Sequence, residues 1–244
     1  MKTSNLKPIP ILTYHQIDEC PIKGTPYRGL VVSQKLFSEH MQLIRFFGYK
    51  GVSMSELLPY LQGEKNGKVI GITFDDGYKN NFTKALPILK KHNFSATCYI
   101  VTNYIGKTNE WDLEKKIKQT QLMTEEEIRS WCAQGFEVGS HTMSHPYLTT
   151  LSDTKASAEI KYSRMKLEEI VEMPINHFCY PYGNFSERDT WLVKEANYKT
   201  ATTTVRGRIH FGDHLHSLNR ISITRTTHHL LFLLKLFSRY EINR

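Results

Sequence analysis

The sequence predicts a single α/β domain built on a parallel sheet, and three observations lead to this fold class. Short apolar runs rich in β-branched and aromatic residues alternate with amphipathic helical patterns from end to end, as in successive βαβ units. The chain has 244 residues, enough to bury a large core without disulfides or a structural metal. No internal repeat, low-complexity segment or Pro/Gly-rich linker divides it. An open doubly wound sheet and a closed barrel both fit this alternation.

Six segments are predicted to be strands because they are short and rich in β-branched and aromatic residues. They are residues 9–14, 69–74, 97–101, 136–139, 175–180 and 218–223. In a parallel α/β fold, the polar residues that follow such strands gather at one end of the sheet.

Capping signals between these strands predict helices. Ser33 begins a segment whose apolar residues share one face, and Gly48 ends it. Thr124 and Glu127 form a capping box, and Gly135 ends that helix. Further helical patterns cover residues 152–172, 186–196 and 226–239.

Composition and charge exclude several classes of protein. Lys and Arg number 32 against 24 Asp and Glu, a net charge of +8, but no long run of like charges is present. We therefore interpret the charge as a basic surface and expect no nucleic-acid partner. The four cysteines are scattered without C-x-x-C spacing, which is typical of a reducing compartment. Because no signal peptide is recognisable, we expect a cytoplasmic protein, or an extracytoplasmic one if a leader precedes this sequence.

Polar residues follow four of the predicted strands, and all four sets should face the same end of the sheet. They are Tyr14-His15, the T-F-D-D-G-Y of 73–78, the S-H-T-M-S-H of 140–145 and the Y-P-Y-G of 180–183. This convergence indicates one site better than any single motif does.

The residue types at these strand ends point to hydrolytic metal chemistry. Asp75 and Asp76 point in different directions, so one can bind a metal while the other accepts a proton; a solvated Asp-Asp-Gly turn is the alternative. The spacing of His141 and His145 places both imidazoles on one side of a helical turn, and two His plus a carboxylate often bind a catalytic divalent metal. A chance pair of surface or core histidines would show the same spacing. The backbone N–H groups after Pro181 can stabilise an oxyanion, or the turn is purely structural.

These motifs resemble a known family. T-F-D-D-G-Y, G-S-H-T-M-S-H-P-Y-L and F-C-Y-P-Y-G, in that order and spacing, are similar to the motifs of the polysaccharide deacetylases, which carry the NodB homology domain of carbohydrate esterase family 4. The opening L-T-Y-H-Q-I and the closing L-N-R-I-S-I resemble the subgroup whose first strand carries Y-H. The similarity runs from Ile9 to about Phe237 and implies a distorted (β/α) barrel, commonly seven-stranded, spanning residues 1–244 as one domain.

The resemblance also implies an activity. It implies metal-dependent hydrolysis of an N-acetyl group, sometimes an O-acetyl group, usually on an N-acetylhexosamine glycan, which releases acetate and a free amino sugar. By motif position Asp75 would be the general base, and the backbone N–H of Tyr182, next to Pro181, would help hold the oxyanion. Zinc is the usual metal, with cobalt or nickel accepted by related enzymes. The metal ligands would be Asp76, His141 and His145.

The sequence departs from the family pattern at three points. The arginine that often precedes P-Y-G is missing, and we expect Arg220 in the last strand to take over its charge role. The D-x-x-D-W motif is not recognisable. The L-x-H motif that supplies the acid is also unclear. His15 is the candidate because its strand end faces the site, with His214 and His216 as alternatives.

The apolar C-terminal segment and the reaction itself leave alternatives open. Residues 226–239 are apolar almost all round, which predicts a helix that packs against the barrel and closes it. Its basic neighbours leave peripheral association with a membrane surface as a second interpretation. The same site could act on a small non-sugar amide, such as an acetylated polyamine or a cyclic imide. A catalytically inactive carbohydrate-binding barrel is a third function, although a binder needs no general base.

Overall fold

A computed structural model describes residues 7–241, and its central element is a parallel sheet that closes on itself. Seven strands form the closed ring in the order β1-β10-β9-β8-β7-β6-β5, because β1 pairs with both β10 and β5. This confirms the predicted single-domain, seven-stranded (β/α) barrel. In chain order the strands are β1 (Ile11–Tyr14), β2 (Gln16–Ile17), β3 (Val31–Val32), β4 (Lys50–Val52), β5 (Val69–Phe74), β6 (Thr97–Ile100), β7 (Glu137–Ser140), β8 (His177–Cys179), β9 (Thr200–Arg206) and β10 (Leu218–Ser222).

Helices connect the strands around the outside of this ring. Five of the helices in the described residues begin at side-chain caps, among them capping boxes at Thr124 and Ser186. None of the helices in the described part of the chain has the length and apolar composition needed to cross a membrane. The helices are α1 (Gln34–Phe46), α2 (Met54–Leu61), α3 (Leu86–Lys91), α4 (Glu125–Ala133), α5 (Asp153–Val171), α6 (Glu187–Glu195) and α7 (His229–Phe237).

All six predicted strands are present within two residues of their predicted ends, but β4, β9 and the two-residue strands β2 and β3 were not predicted. β9 reads T-A-T-T-T-V-R, and its first four residues are buried although three of them are threonines. A polar composition therefore concealed a core strand. β4 is only three residues long and contains Gly51, where a side chain would come within 2.4 Å of Ile72 Cδ1. Such short strands lack the alternation on which prediction depends.

The ring topology brings the predicted strand ends together. Every pairing in the ring is parallel, so β1, β5, β7 and β8 all end at the same end of the barrel. Asp75 N–H donates to the Tyr14 carbonyl at 2.9 Å, and His141 N–H donates to the Ile100 carbonyl at 2.9 Å. The first residue after β5 and the first after β7 are thus still fixed by a ladder hydrogen bond.

Helix α7 packs on the barrel beside α1, and a buried histidine joins the two. Phe232 of α7 stacks on the ring of His40 with centroids 4.1 Å apart. The Nε2 of His40 lies 2.8 Å from the Thr227 carbonyl, and the Tyr14 hydroxyl lies 3.1 Å from its Nδ1. Burial of the imidazole lowers the pKa of His40 to about 4. That the C-terminal segment closes the barrel stays a prediction.

The protein is expected to lose stability on acidification as His40 becomes protonated. An imidazole whose pKa is lower in the folded chain than in the unfolded chain stabilises the fold above pH about 6.5. This contribution, about 3 kcal/mol, should be lost as the pH falls toward 4. The free energy of unfolding, measured by urea titration at intervals between these pH values, tests this.

His40→Gln keeps a donor for the Thr227 carbonyl but cannot titrate, so its unfolding free energy should vary less over this pH range. His229→Gln is the matched control, since His229 is an exposed α7 residue paired with Glu39. An unchanged pH slope in His40→Gln would contradict the assignment.

Candidate active site

The ends of the ring strands line a cavity of about 420 Å³, a volume suited to a small ligand or one sugar unit. Its walls come from residues 16–31 on one side and residues 111–120 on the other. Predicted site residues lie in its lining, so the convergence expected from the sequence is present. They are His15, Asp75, Asp76, His141, His145 and Tyr182.

Asp75 is held by Arg220 in a two-pronged ion pair. The guanidinium donates from its two terminal nitrogens to the two carboxylate oxygens, each at 2.7 Å, and both side chains are buried. A third donor, the Thr13 hydroxyl, lies 3.3 Å from Asp75 Oδ2. Arg220 therefore lies where the charge role predicted for it requires.

This ion pair sets the protonation state of Asp75. Burial by itself would raise the pKa of the carboxyl group, but the Arg220 guanidinium more than offsets this, so the pKa of Asp75 lies below its usual range. Asp75 is therefore ionised at neutral pH. The carboxylate is also unable to turn away from the cavity, because both of its oxygens are held.

Asp76 faces the two histidines rather than the arginine. Its Oδ1 lies 3.4 Å from Nε2 of His141 and 3.4 Å from Nε2 of His145. All three donor atoms lie within 4.8 Å of one another, and all three residues are buried. Burial raises the pKa of Asp76, whereas the two imidazoles beside its carboxylate lower it well below the usual range.

The chemistry of this donor set fits a divalent metal ion. The Nδ1 of His141 lies 2.7 Å from the Cys179 carbonyl, and donation there leaves the Nε2 lone pair facing Asp76. The Nδ1 of His145 is buried without a hydrogen-bond partner in the described residues. Two imidazole nitrogens and one carboxylate oxygen match the three-ligand sets that leave open coordination positions.

A second donor group lies beside the first but is unsuited to a cation. Asp75, His141 and Cys179 also offer atoms within 4.8 Å of one another. A terminal nitrogen of Arg220, however, lies 3.2 Å from the Cys179 sulfur and binds Asp75 as well. The guanidinium already supplies the positive charge there, so this group suits a cation less well than Asp76, His141 and His145 do.

The prediction of a helical turn between His141 and His145 is wrong. The segment is an irregular loop in which Thr142 has φ 68° and His145 has φ 60°. Glu159 of α5 holds this loop, because its carboxylate accepts from the backbone N–H of Met143 and Ser144 at 2.8 and 2.9 Å. The spacing of four brings the imidazoles together through this loop instead.

Strained backbone is concentrated at the site. Asp76 has φ 74° and Tyr182 has φ 58°, in addition to the positive φ values of Thr142 and His145 in the loop that joins the two histidines, the histidine loop. A non-glycine residue in this region costs of order 1–3 kcal/mol and persists only where the surroundings enforce it. Such positions are typical of functional sites, and here they orient Asp76 and His145.

The three histidines considered for the acid role lie in different places. His15 lines the cavity, and its Nδ1 is buried without a hydrogen-bond partner in the described residues. His214 and His216 precede β10, whereas the end of β10, at Ser222, borders the cavity. They are therefore at the opposite end of the barrel, and the Nε2 of His216 is occupied by the Tyr198 carbonyl at 2.8 Å.

The Y-P-Y-G segment forms a tight turn at the cavity edge. Pro181 is buried, and the turn spans Pro181–Gly183. The ring of Tyr182 packs edge-on against His145, with centroids 4.5 Å apart. The turn thus places the Tyr182 backbone beside the histidine loop; its role in holding an oxyanion stays a prediction.

Three residues within 110–115 that lie at the site were not predicted from the sequence. Trp111 stacks on the ring of His145 with centroids 4.9 Å apart. Lys115 donates to the Tyr182 hydroxyl at 2.9 Å and pairs with the buried Asp112 at 3.3 Å. The available signal was the long stretch between β6 and α4, because long connections in compact domains are often functional.

Gly183→Ala is expected to displace the Y-P-Y-G turn and reduce activity roughly tenfold to a hundredfold. Gly183 has φ +67°, and an added Cβ would lie 1.9 Å from Thr204 Oγ1 and 2.6 Å from Thr204 Cβ. The turn must move, and Tyr182 with it. Hydrolysis rates and thermal unfolding of the variant measure the effect.

Gly135→Ala is the control that distinguishes the clash with Thr204 from the strain of a side chain at positive φ. Gly135 has φ +86° but no atom within 4 Å of an added Cβ, so it should lose about 1 kcal/mol of stability with full activity. If Gly183→Ala behaves like Gly135→Ala, the turn does not position the site.

Comparisons with known proteins agree with this geometry. A sequence model described as polysaccharide deacetylase matches residues 62–201. The chain is 26% identical to YxkH of Bacillus subtilis over 226 residues, 92% of this chain and 74% of that protein. It is 27% identical over 168 residues to the poly-beta-1,6-N-acetyl-D-glucosamine N-deacetylase of Staphylococcus epidermidis, covering 67% of this chain and 58% of that protein. It is 28% identical over 145 residues to the peptidoglycan-N-acetylmuramic acid deacetylase PdaA of Bacillus subtilis, covering 59% of this chain and 49% of that protein.

Solved structures share the barrel over nearly its whole length. The Streptococcus pyogenes deacetylase PplD, in complex with acetate, superposes with a TM-score of 0.82 at 27% identity, covering 95% of this chain and 99% of that chain. The polysaccharide deacetylase BC0361 of Bacillus cereus gives 0.79 at 29% identity, covering 94% of this chain and 69% of that chain. With its motifs at the barrel mouth and a family model that matches more than half of its length, the chain belongs to the polysaccharide deacetylase family.

Proposed function

We propose that this protein is a metal-dependent deacetylase that hydrolyses the N-acetyl group of an amino sugar in a glycan or glycan precursor. One observation carries the proposal. An ionised carboxylate, Asp75, is fixed by Arg220 beside a separate His-His-Asp donor set on the floor of an open cavity. A hydrolase of an unreactive amide needs both a base and an electrophilic centre, and here they are adjacent but distinct.

The metal would be held by Asp76, His141 and His145, with zinc the ion we expect and cobalt or nickel as substitutes. When bound, such an ion supplies Lewis-acid activation of the acetyl carbonyl and of water. Asp75 takes the proton of the attacking water, a role suited to a carboxylate that stays ionised. The Tyr182 backbone N–H is proposed to donate to the developing oxyanion.

The leaving nitrogen must also receive a proton before the C–N bond breaks, because a free amine anion cannot depart. We assign this proton transfer to His15, whose Nδ1 is buried in the cavity lining without a hydrogen-bond partner in residues 7–241. The overall reaction adds one water to the amide and yields acetate and an amine, with no other reactant.

A sugar substrate is favoured over a small non-sugar amide by the cavity walls. Tyr27, Trp111, Tyr147 and Tyr182 line the cavity, and aromatic faces of this kind pack against the apolar faces of pyranose rings. Two of the relatives reported above act, by their names, on N-acetylated glycans. The two alternative functions have less support. One is hydrolysis of an acetylated polyamine or a cyclic imide, and the other is sugar binding without catalysis.

Acetate release from a panel of N-acetylated monosaccharides, oligosaccharides and polyamines tests the proposal. The protein should be compared as purified, after chelation and after reloading with zinc, cobalt or nickel. We expect metal-dependent release from an N-acetylated sugar, with about one metal ion bound per chain by elemental analysis. His141→Gln, which removes one ligand, should lower the bound metal as well as the rate.

Two outcomes would contradict the proposal. The first is acetate release that chelation does not affect, which would exclude the metal. The second is release from polyamines but from no sugar, which would assign the site to the small-amide alternative.

A further inference from the structure

Helix α7 is apolar on two faces, and only one of them is covered. Phe232 and Leu236 point into the barrel and are buried. Leu230, Leu234 and Phe237 lie on the opposite face, spaced four and three residues apart, and are exposed. The two apolar faces explain why the segment is apolar almost all round. The described part of the chain covers the inner face and leaves the outer face exposed.

The end of α1 extends this face into a contiguous apolar patch, defined by Phe46, Phe47, Leu230, Leu234 and Phe237. The rings of Phe47 and Phe237 lie 5.4 Å apart, and those of Phe46 and Phe47 lie 5.2 Å apart. Phe46 is 81% exposed and Leu230 63% exposed. Contiguous exposed apolar surface of this kind is uncommon on a monomer and marks an interaction site.

Positive charge borders the apolar patch. Lys68 Nζ lies 3.4 Å from the Phe47 carbonyl, Arg45 precedes Phe46, and Arg239 follows two residues after Phe237. All three side chains are exposed, and none forms an ion pair with a carboxylate in residues 7–241.

Few carboxylates offset this positive charge. Glu56 pairs with Lys50 at 2.9 Å, and Glu39 lies 2.8 Å from the imidazole of His229. The three unpaired cations therefore outnumber Glu39, in line with the +8 of the whole chain.

We propose that the apolar patch docks on the surface of an anionic lipid bilayer. Exposed Phe and Leu on one helix face, bordered by Lys and Arg, are the chemistry that inserts at the headgroup boundary of anionic membranes. A purely apolar protein partner would not require the three unpaired cations. The inference goes beyond the proposed function and does not depend on it.

The position of the patch sets the orientation of the barrel on the membrane. Helix α7 follows β10 and runs back along the outside of the barrel, ending where Phe237 meets Tyr49, just before β4. The patch therefore lies along the flank of the barrel. Docked by this flank, the barrel lies on its side, and its cavity opens along the membrane plane.

Sedimentation with lipid vesicles tests the docking. The full chain is mixed with vesicles of phosphatidylcholine alone, or of phosphatidylcholine and phosphatidylglycerol, at low and at physiological salt. We expect binding to the mixed vesicles and about tenfold weaker binding to neutral ones. Phe46→Ser/Leu230→Ser should lower the partition coefficient about tenfold or more, and Arg45→Gln/Arg239→Gln should lower it and reduce its salt dependence.

Tyr162→Ser/Met165→Ser is the matched control. Tyr162 and Met165 are exposed apolar residues of α5, 57% and 60% exposed, outside the patch. This variant should bind vesicles like the unmodified chain, and unchanged circular dichroism and melting temperature of all variants establish that each is folded.

Three results would overturn the proposal. The first is that the unmodified chain fails to bind the mixed vesicles even at low salt. The second is unchanged binding in Phe46→Ser/Leu230→Ser, which would make it non-specific electrostatic adsorption. The third is a dimer, seen by light scattering without lipid, that Phe46→Ser/Leu230→Ser dissociates, which would assign the patch to a second copy of the chain.

Discussion

Asp75→Asn is expected to lower kcat/KM for N-acetyl hydrolysis by about 10²–10⁴-fold, because an amide cannot accept the proton of the attacking water. The variant should also be less stable, since the buried guanidinium of Arg220 loses its counter-charge. Bound metal should be unchanged, because the ligands are Asp76, His141 and His145. Kinetics, urea unfolding and elemental analysis measure the three quantities separately.

The double variant Asp75→Asn/Arg220→Met separates catalysis from folding. Replacing both members of a buried ion pair by neutral groups is often close to neutral for stability. We expect the double variant to recover most of the stability that Asp75→Asn loses and to stay inactive. Recovery of activity along with stability would show that Asp75 acts only through the fold.

Arg220→Met alone is expected to destabilise the protein by about 3–5 kcal/mol, the usual result of leaving one member of a buried pair uncompensated. Activity should fall as well. Without the guanidinium, burial raises the pKa of Asp75, so the acidic limb of the pH–rate profile should move to higher pH. Urea unfolding and kcat/KM measured across the pH range test both effects.

Arg206→Met is the matched control for this variant. Arg206 pairs in register with Arg220 on the neighbouring strand β9 but is exposed, so its loss should change stability by no more than about 0.5 kcal/mol. If Arg220→Met leaves both the activity and its pH profile unchanged, Arg220 does not orient the base.

Five of the seven helices in the described residues and six of the ten strands could be predicted because their signals are local, whereas the short helices α2 and α3 were not predicted. The caps at Ser33 and Thr124 and the apolar run of β5 lie within a few residues of the structure they determine. β9 could not be predicted in this way, because its threonines are buried by neighbouring strands rather than by any feature of their own segment.

In the candidate site, too, local motifs could be predicted and long-range contacts could not. The D-D-G and H-T-M-S-H motifs were recognisable, since each is contiguous and follows a strand. The stacking of Trp111 on His145 and the hold of Glu159 on the histidine loop could not be predicted, because these contacts join distant parts of the chain. The helical turn between the histidines was wrong because the spacing of four was treated as helical, whereas the loop conformation depends on α5.

The sequence by itself determined an α/β fold with a parallel sheet and the carboxylates and imidazoles from which the site is built, because these follow from local patterns and contiguous motifs. The same motifs carried the family resemblance, and the barrel was implied by that resemblance rather than by the periodicity. The resemblance to the family already implied different roles for the two aspartates, but only the tertiary structure shows the contacts that distinguish them. Arg220 reaches Asp75 across 145 positions of the chain, while Asp76 turns to the histidines. A single buried guanidinium determines which of the two carboxylates is paired with a fixed charge, and its position beside Asp75 results from the closure of the barrel.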